Sequence, residues 1–572
     1  MPFPGTPDAS PRTQIILPAI TPADVASITV VGSMSGGHQG RIRWLPDRAG
    51  VTFVPDWPFT PGEHVHVSAG LRTAAAASVL GTAGPRLSYW FKVAVPAVRA
   101  RRVQAIRRSS VQTTAVPNGM HFHSAPGLHP PTVKVSGRPD SGSGDIFLTP
   151  RNSYQRQVDI QHGPMIINSQ GQLVWFRQAS PGSVAINLQA QSYHGHPVLT
   201  WWQGTDNFSA GFDVIADGSY RTLAVLRAGP ASAGYATDAH DFQITPQGTA
   251  LIEGFAGVQA NLTSLGGPAD GVVQDDIIQE LDIKTGRVLW EWHTYGHIPL
   301  SASYVRPAGS NWFDYFHLNS LQQLPGGNIL VSARNTWGVY EISKRTGRVI
   351  WTLGGKDSSF GLGPEARFSW QHDAHMSGHI LSVFDDASDG PSQQERQSSA
   401  KVLKLDTSTM RATLVHRYTH RPELLTVSQG SVQPLPGGNV FVSWGADPQF
   451  SEYTPGGRQI FDASFVLGVN TYRAYRFPWV GHPMTRPVLA VSRSSRGGET
   501  LYASWNGATQ VTAWRVLGGA GTGSLKRVAR AARTGFETAI RLRRSRTRFE
   551  VQALGASGRV LGTSRVEPVS PR

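Results

Sequence analysis

Short apolar runs alternate with polar positions along nearly the whole chain, and a glycine or proline turn closes each run. Period-two alternation over four to eight residues is the signature of half-buried strands, so the pattern predicts an all-β protein. Residues 13–97 read as five such strands, Gln14–Pro18, Ala26–Val31, Val51–Pro55, His64–Ala69 and Tyr89–Val95, which is enough for an N-terminal Ig-like β-sandwich. Five arginines fall within Arg99–Arg108, and a proline-rich stretch follows, so residues 98–142 read as a linker. Alternation returns over 485–570, as in Leu501-Tyr-Ala-Ser-Trp-Asn-Gly-Ala-Thr509, and predicts a C-terminal β-sandwich resembling a fibronectin type III domain.

Residues 143–480 carry an internal repeat. A turn followed by an apolar strand recurs as Gly195-His-Pro-Val-Leu199, Gly248-Thr-Ala-Leu-Ile252, Gly327-Asn-Ile-Leu-Val331, Gly378-His-Ile-Leu-Ser382 and Gly438-Asn-Val-Phe-Val442. A second element follows in several copies: Gly171-Gln-Leu-Val-Trp175, Gly286-Arg-Val-Leu-Trp290, Gly347-Arg-Val-Ile-Trp351 and the variant Gly457-Arg-Gln-Ile-Phe461. One unit is therefore four strands long, ending in a Trp-bearing strand. Five units count directly, and a sixth assembles from Asp145–Phe176. A four-stranded unit recurring every 50–80 residues predicts a β-propeller of six blades. A β-helix would repeat in shorter steps without the Trp strand.

Composition narrows the chemistry. The chain has 572 residues and no cysteine, which excludes disulfide scaffolds, cysteine nucleophiles and cysteine-ligated metal clusters. Lysine plus arginine outnumber aspartate plus glutamate by 53 to 38, a net charge of +15 that suits anionic partners. No apolar run is long enough for a membrane helix. The opening Met1–Ser10 has neither the basic nor the apolar part of a signal peptide, so none is visible in this chain. No Gly-x-x-x-x-Gly-Lys-Ser/Thr loop is present to cradle a nucleotide phosphate.

Five to ten residues before the glycine turns, polar residues recur: Asn187, then His240-Asp241, then His317-Leu-Asn319, then Gln371-His372-Asp373. In a propeller the first strand of each unit lines the central channel, so this register delivers three histidines to one mouth. Arg334, on Leu330–Asn335, falls close to them. Three histidines can bind zinc, but a neighbouring arginine repels a cation, and no metal or other cofactor is expected. Arginine with Asn and His donors suits a tetrahedral oxyanion, sulfate or phosphate. Asp385-Asp-Ala-Ser-Asp389 reads as a polar turn, with a calcium loop as the alternative. Lys526–Arg548 reads as a solvated sheet face, with a grip on an acidic polymer as the alternative. Asn207-Phe-Ser209 and Asn261-Leu-Thr263 match the N-glycosylation sequon.

Taken together, Asp238-Ala-His-Asp-Phe242, Trp312-Phe-Asp-Tyr-Phe-His-Leu-Asn-Ser320, Val331-Ser-Ala-Arg-Asn335, Arg348-Val-Ile-Trp-Thr-Leu-Gly-Gly355 and Phe368-Ser-Trp-Gln-His-Asp-Ala374 resemble the arylsulfotransferases that use no nucleotide sulfate donor. The resemblance covers about 120–480. It implies a six-bladed propeller and ping-pong transfer of a sulfuryl group from a phenolic sulfate ester to a phenolic acceptor through a sulfohistidine. It implies His372 as the nucleophile, with His240, His317, Asn319 and Arg334 binding the sulfuryl group or assisting proton transfer, so that His240, His317 and Arg334 are expected to be catalytic and Asn319 to bind substrate; Asn187, from the polar register, is expected to bind substrate too. A neutral His372 needs one ring nitrogen free, the other being held by Asp373 or a backbone carbonyl. The expected partners are a small phenolic sulfate and a phenol, with an acidic surface polymer as an additional one, and no nucleic acid. Members of the family are typically exported, so a secreted or cell-surface location is expected. The rival reading is a secreted, non-catalytic propeller that binds glycan or acidic polymer. A quinoprotein is a third, weakened because the repeated Trp residues suit packing between blades without a cofactor.

Overall fold

The computed structural model describes residues 2–569 apart from 7–8, 10, 46–49, 94, 96–118, 140–143, 154–157, 207, 209, 230–234, 308–311, 494–497, 521–522 and 544–545. The arginine run Arg99–Arg108 and the ends of the first sequon lie outside the described residues. What is described is all-β, with one α-helix, Ala74–Val79. No helix among the described residues is long and apolar enough to cross a membrane.

Between residues 145 and 477 the described residues form six sheets with four antiparallel strands at the heart of each, beside a two-stranded pair of Arg151–Asn152 with Val469–Asn470. We label the innermost strands β1 (Ser183–Tyr193), β2 (Ala236–Ile244), β3 (Leu318–Gln323), β4 (His372–Ser377), β5 (Ser431–Pro434) and β6 (Tyr475–Phe477). Each touches the next, and β6 touches β1, so the sheets close into a ring around a channel, a β-propeller. Its closure is double. Strand β6 pairs with Asp145–Leu148, placing Tyr475 opposite Phe147 and completing the sheet that holds Leu173–Phe176. At the rim Val133–Gly137 pairs with Gln459–Phe465 of the preceding sheet. Those five residues fall within the stretch expected to be linker. The alternating Val133-Lys-Val135 can cover an outer strand edge that would otherwise present unpaired amides.

Glutamines tie neighbouring inner strands together. Gln191 of β1 donates to the Phe242 carbonyl and accepts the Ile244 amide of β2. Gln322 of β3 bonds both backbone groups of Met376, and Gln433 of β5 both groups of Arg476. A primary amide offers one donor and one acceptor in a plane, so one glutamine satisfies a backbone pair the gap between sheets would leave empty. The Trp strands lie at the outer edge. Trp290 and Trp292 donate their indole N–H to the Lys344 and Gly347 carbonyls of the next sheet while their rings are buried. Replacing so buried a ring by alanine costs about 3–5 kcal/mol.

The flanking regions lie on the outside. Residues 15–92 form two sheets that share one apolar core, including Ile15, Val51, Val67 and Phe91. Gln14 reaches the outer edge of the second sheet at the Val288 carbonyl, and Phe3 packs on Trp290. Residues 488–568 form two further sheets around Leu501, Trp514 and Phe549. Asn506 bonds both backbone groups of Phe176, and the Tyr220 hydroxyl donates to the Gly507 carbonyl. The strand Lys526–Ala532 is largely exposed, with its basic residues toward solvent.

Candidate active site

The four inner strands β1 to β4 share a local irregularity. Their pairing slips between Ile186 and Gln189, Thr237 and Phe242, Leu318 and Ser320, and His372 and His375. Each slip is a bulge, which breaks the alternation and re-aims side chains. Asn187, His317 and Asp373 have φ of 58°, 59° and 54° at or beside these bulges. Non-glycine residues adopt this left-handed region only at a cost of about 1–3 kcal/mol, which surrounding contacts must hold in place. The polar register read from the sequence is therefore a register of bulges, all at one end of the channel.

There the histidines meet. The His240 and His317 rings lie 4.9 Å apart, nearly perpendicular. Tyr472 packs edge-on to both His240 and His372, at 5.6 and 6.3 Å. Each histidine turns Nδ1 to its own aspartate: His240 to Asp238, His317 to Asp314 at 2.5 Å and His372 to Asp386 at 2.7 Å. This shared device holds each ring at Nδ1 and leaves Nε2 as the reactive nitrogen. At His372 the Nε2 lone pair accepts the Gln429 backbone N–H at 3.3 Å, a long bond.

The orienting acids differ from those expected. Asp373, which was to hold His372, instead accepts from the Tyr475 hydroxyl and the Val432 amide and lies 3.3 Å from Arg473. Asp241 also pairs with Arg473, at 3.3 Å. Arg473, fully buried, donates to the Asn319 carbonyl as well, so one guanidinium pins three inner strands together. Asp386 comes from the turn read as a polar loop; its neighbour Asp385 is engaged by the buried Lys401. Asp386, Asp314, Tyr472 and Arg473 were not singled out by sequence reasoning. Asp314 lies three residues before His317, a visible signal, whereas the closing segment Tyr472-Arg473 has no counterpart in the repeat.

Arg334 lies at the mouth. Its guanidinium covers the Trp370 ring at 5.1 Å and donates to the Asn335 side chain and the Val427 carbonyl. A pocket of about 460 Å³ opens here, with Val305, Pro307, Trp312 and Phe313 as apolar wall and His317 and Arg334 as polar wall. His372 is 1% exposed and does not line this pocket. Asn319 donates to the Gln371 carbonyl beside His372, and its side-chain oxygen is buried without a partner. Asn187 donates to the His240 carbonyl and Asp241 and accepts from Gln189. Its amide is fully engaged, so it positions β2 and offers no free donor to a substrate.

Burial holds the His372 imidazole neutral, its pKa well below the ordinary value, and Arg334, His240, His317 and Arg473 all push the same way. Burial raises the Asp386 carboxyl, and Arg334 opposes that rise. The site thus sets a neutral imidazole, held by Asp386, in the field of the Arg334 and Arg473 guanidinium groups. A second pocket, lined by Asp145 and Arg533 at the C-terminal flank, holds none of these groups.

Comparison with known proteins follows the same lines. Residues 189–466 match the family profile described as arylsulfotransferase (ASST). No curated protein matches the chain. Solved structures similar to it include a protein of unknown function from Bacteroides caccae, 16% identical over 58% of this chain and 100% of that one, with a TM-score of 0.35. A catalytically inactive virginiamycin B lyase from Staphylococcus aureus is 8% identical over 65% and 96%, TM-score 0.31. A quinonprotein alcohol dehydrogenase-like protein from Bacteroides thetaiotaomicron is 8% identical over 99% of each chain, TM-score 0.24.

Proposed function

We propose that the chain, whose residues 189–466 match the arylsulfotransferase family profile, transfers a sulfuryl group from a phenolic sulfate ester to a phenol by a ping-pong mechanism through sulfo-His372. The observation that carries this reading is the His372 ring itself: neutral, fixed at Nδ1 by Asp386, and surrounded by cationic side chains.

In the first half-reaction the aryl ring occupies the pocket beside Trp312 and Phe313, and Arg334 meets the anionic sulfate oxygens. The Nε2 lone pair of His372 attacks sulfur, the N–S bond forms and the S–O(aryl) bond breaks. The Gln429 N–H, released from Nε2, becomes a donor to a sulfuryl oxygen. The phenolate leaving group, whose conjugate acid has a pKa of about 10, takes a proton from Nε2 of His317, which Asp314 steadies from the other side. In the second half-reaction the acceptor phenol loses its proton to His317, its oxygen attacks sulfur, and the N–S bond breaks to restore His372. His240, held by Asp238, lies beside His317 and supports the same proton. Asn319 anchors the strand that carries His372. Every side chain in this scheme lies between residues 187 and 473; the two flanks supply none. The scheme needs no nucleotide. Export to the cell surface, which the family resemblance implies, belongs to the same proposal, and fractionating cells that produce the full chain tests it.

The deciding test is mass spectrometry of the protein quenched after incubation with an aryl sulfate and no acceptor. One added sulfuryl group on the peptide containing His372 is the expected result. Unmodified protein that still binds sulfated or acidic glycan would favour a non-catalytic binding propeller.

A further inference from the structure

Beside His240 the channel wall carries an excess of carboxylates. Asp238 and His240 of β2 face Glu253, from the next strand of the same sheet, and one ligand atom of each lies within 4.8 Å of the others. Glu253 is fully buried, and neither side-chain oxygen has a hydrogen-bond partner. Asp213, 1% exposed, likewise has both oxygens without a partner, and its charged neighbours are Asp238 and Asp241. Arg473 is the cation nearest this group, and it is already engaged by Asp241 and Asp373.

A buried carboxylate with no donor and with other carboxylates for neighbours is among the costliest arrangements in a protein interior. Two things relieve it: a bound proton on each acid, or a cation among them. Protons alone leave the oxygens of Glu253 and Asp213 without hydrogen bonds, since a protonated acid still needs an acceptor for its O–H and donors for its lone pairs. A cation answers both needs. Ligand distances of about 2.0–2.6 Å keep any two donors of one ion within about 4–5 Å of each other, and the three ligand atoms here lie within 4.8 Å of one another. We propose that Asp238, His240 and Glu253 bind one divalent cation, with Asp213 as an additional carboxylate beside it.

Oxygen donors with one imidazole suit Mn²⁺, with Ca²⁺ favoured less by the nitrogen and Zn²⁺ less by the carboxylates. Glu253 has no part in the proposed sulfuryl transfer, whereas Asp238 and His240 serve both readings. The proposal does not depend on that reaction, and binding is measured without any substrate.

The test uses the full chain after chelator treatment and dialysis. Calorimetric titration with MnCl₂ should show one site per chain, and the Mn²⁺ paramagnetic resonance signal should broaden on binding. The melting temperature should rise by several degrees at saturating Mn²⁺, as linkage requires of a ligand that binds only the folded state. Parallel titrations with CaCl₂ and ZnCl₂ rank the ions. Glu253→Gln keeps the shape and removes the charge; it should weaken Mn²⁺ binding at least tenfold and abolish the melting shift. Absence of binding for all three ions in the wild-type chain overturns the proposal, whatever the variant does. So does a Glu253→Gln protein that binds Mn²⁺ as tightly as wild type. Loss of sulfuryl transfer with Mn²⁺ binding intact would count against the catalytic reading alone.

Discussion

The two sides of this channel are electrostatic opposites. Around His372 the nearby charges are cationic, Arg334 and Arg473 with the two other histidines, and they lower its affinity for a proton. Around Glu253 they are mainly acidic, Asp238, Asp241 and Asp276, and burial followed by those acids lifts its carboxyl well above the carboxylate range. His372 and His240 lie on inner strands, and Glu253 on the second strand of the sheet that carries His240. The net charge of +15 predicts neither side. Function is decided by how charge is segregated within the channel.

The largest effect that would sharpen this contrast comes from the cationic side. His372→Asn keeps a polar side chain but removes the nucleophile, and turnover should fall by about 10³–10⁶, with the melting temperature nearly unchanged. Equal rates of phenol release from variant and wild type would remove His372 from the mechanism. Next comes the orienting acid. Asp386→Asn frees His372 to take the other tautomer, so kcat should drop by about 10²–10⁴ with little change in KM. A variant that changed KM alone would show Asp386 to be a packing residue. Arg334→Lys keeps the charge and loses the planar fork, and should raise the donor KM and lower kcat/KM by about ten- to a hundredfold.

The pH dependence separates the two sides by sign. The folded-state pKa of His372 lies below its unfolded value, so below pH about 6.5 the unfolded chain takes up a proton that the folded one refuses. Its contribution to stability is therefore fully present above that pH and declines as pH falls through it. The nucleophile itself stays neutral there, so the modification of His372 by an aryl sulfate in a single turnover should persist at pH 5.5. Loss of labelling in step with a pKa near 6.5 would show that the cationic surround does not control the ring. The smallest effect belongs to Asn187. Asn187→Ala removes two bonds that hold β2, and should lower the melting temperature by a few degrees with kcat/KM changed by less than about tenfold. A large loss in KM would show that the amide does reach substrate.

Much of this was legible in the sequence. The Gly turns and Trp strands gave the repeat because each sheet must bury the same faces, and the polar register located His240, His317, Asn319 and His372 together. The inner-strand glutamines were equally visible and went unread. What was not legible were partners brought in by geometry the repeat does not encode. Asp386 follows the strand after β4 and reaches His372 only because that strand turns back at its end. Tyr472 and Arg473 precede the closing strand, where the repeat has ended and no register remains to count from. Asp373 misled because adjacency in sequence is no guide at a bulge, where neighbouring side chains are turned apart.

The closing strand also sets a schedule. Asp145–Leu148 leaves the ribosome about 330 residues before β6, its innermost partner. At ~5–20 residues per second its edge waits roughly twenty seconds to a minute, in need of shelter from other chains. Tyr472 and Arg473 arrive in that same last stretch, so a chain cut short before it lacks both the seal of the ring and the guanidinium that joins Asp241, Asp373 and Asn319. Premature products therefore lack both the closing strand and the buried guanidinium that ties three inner strands together.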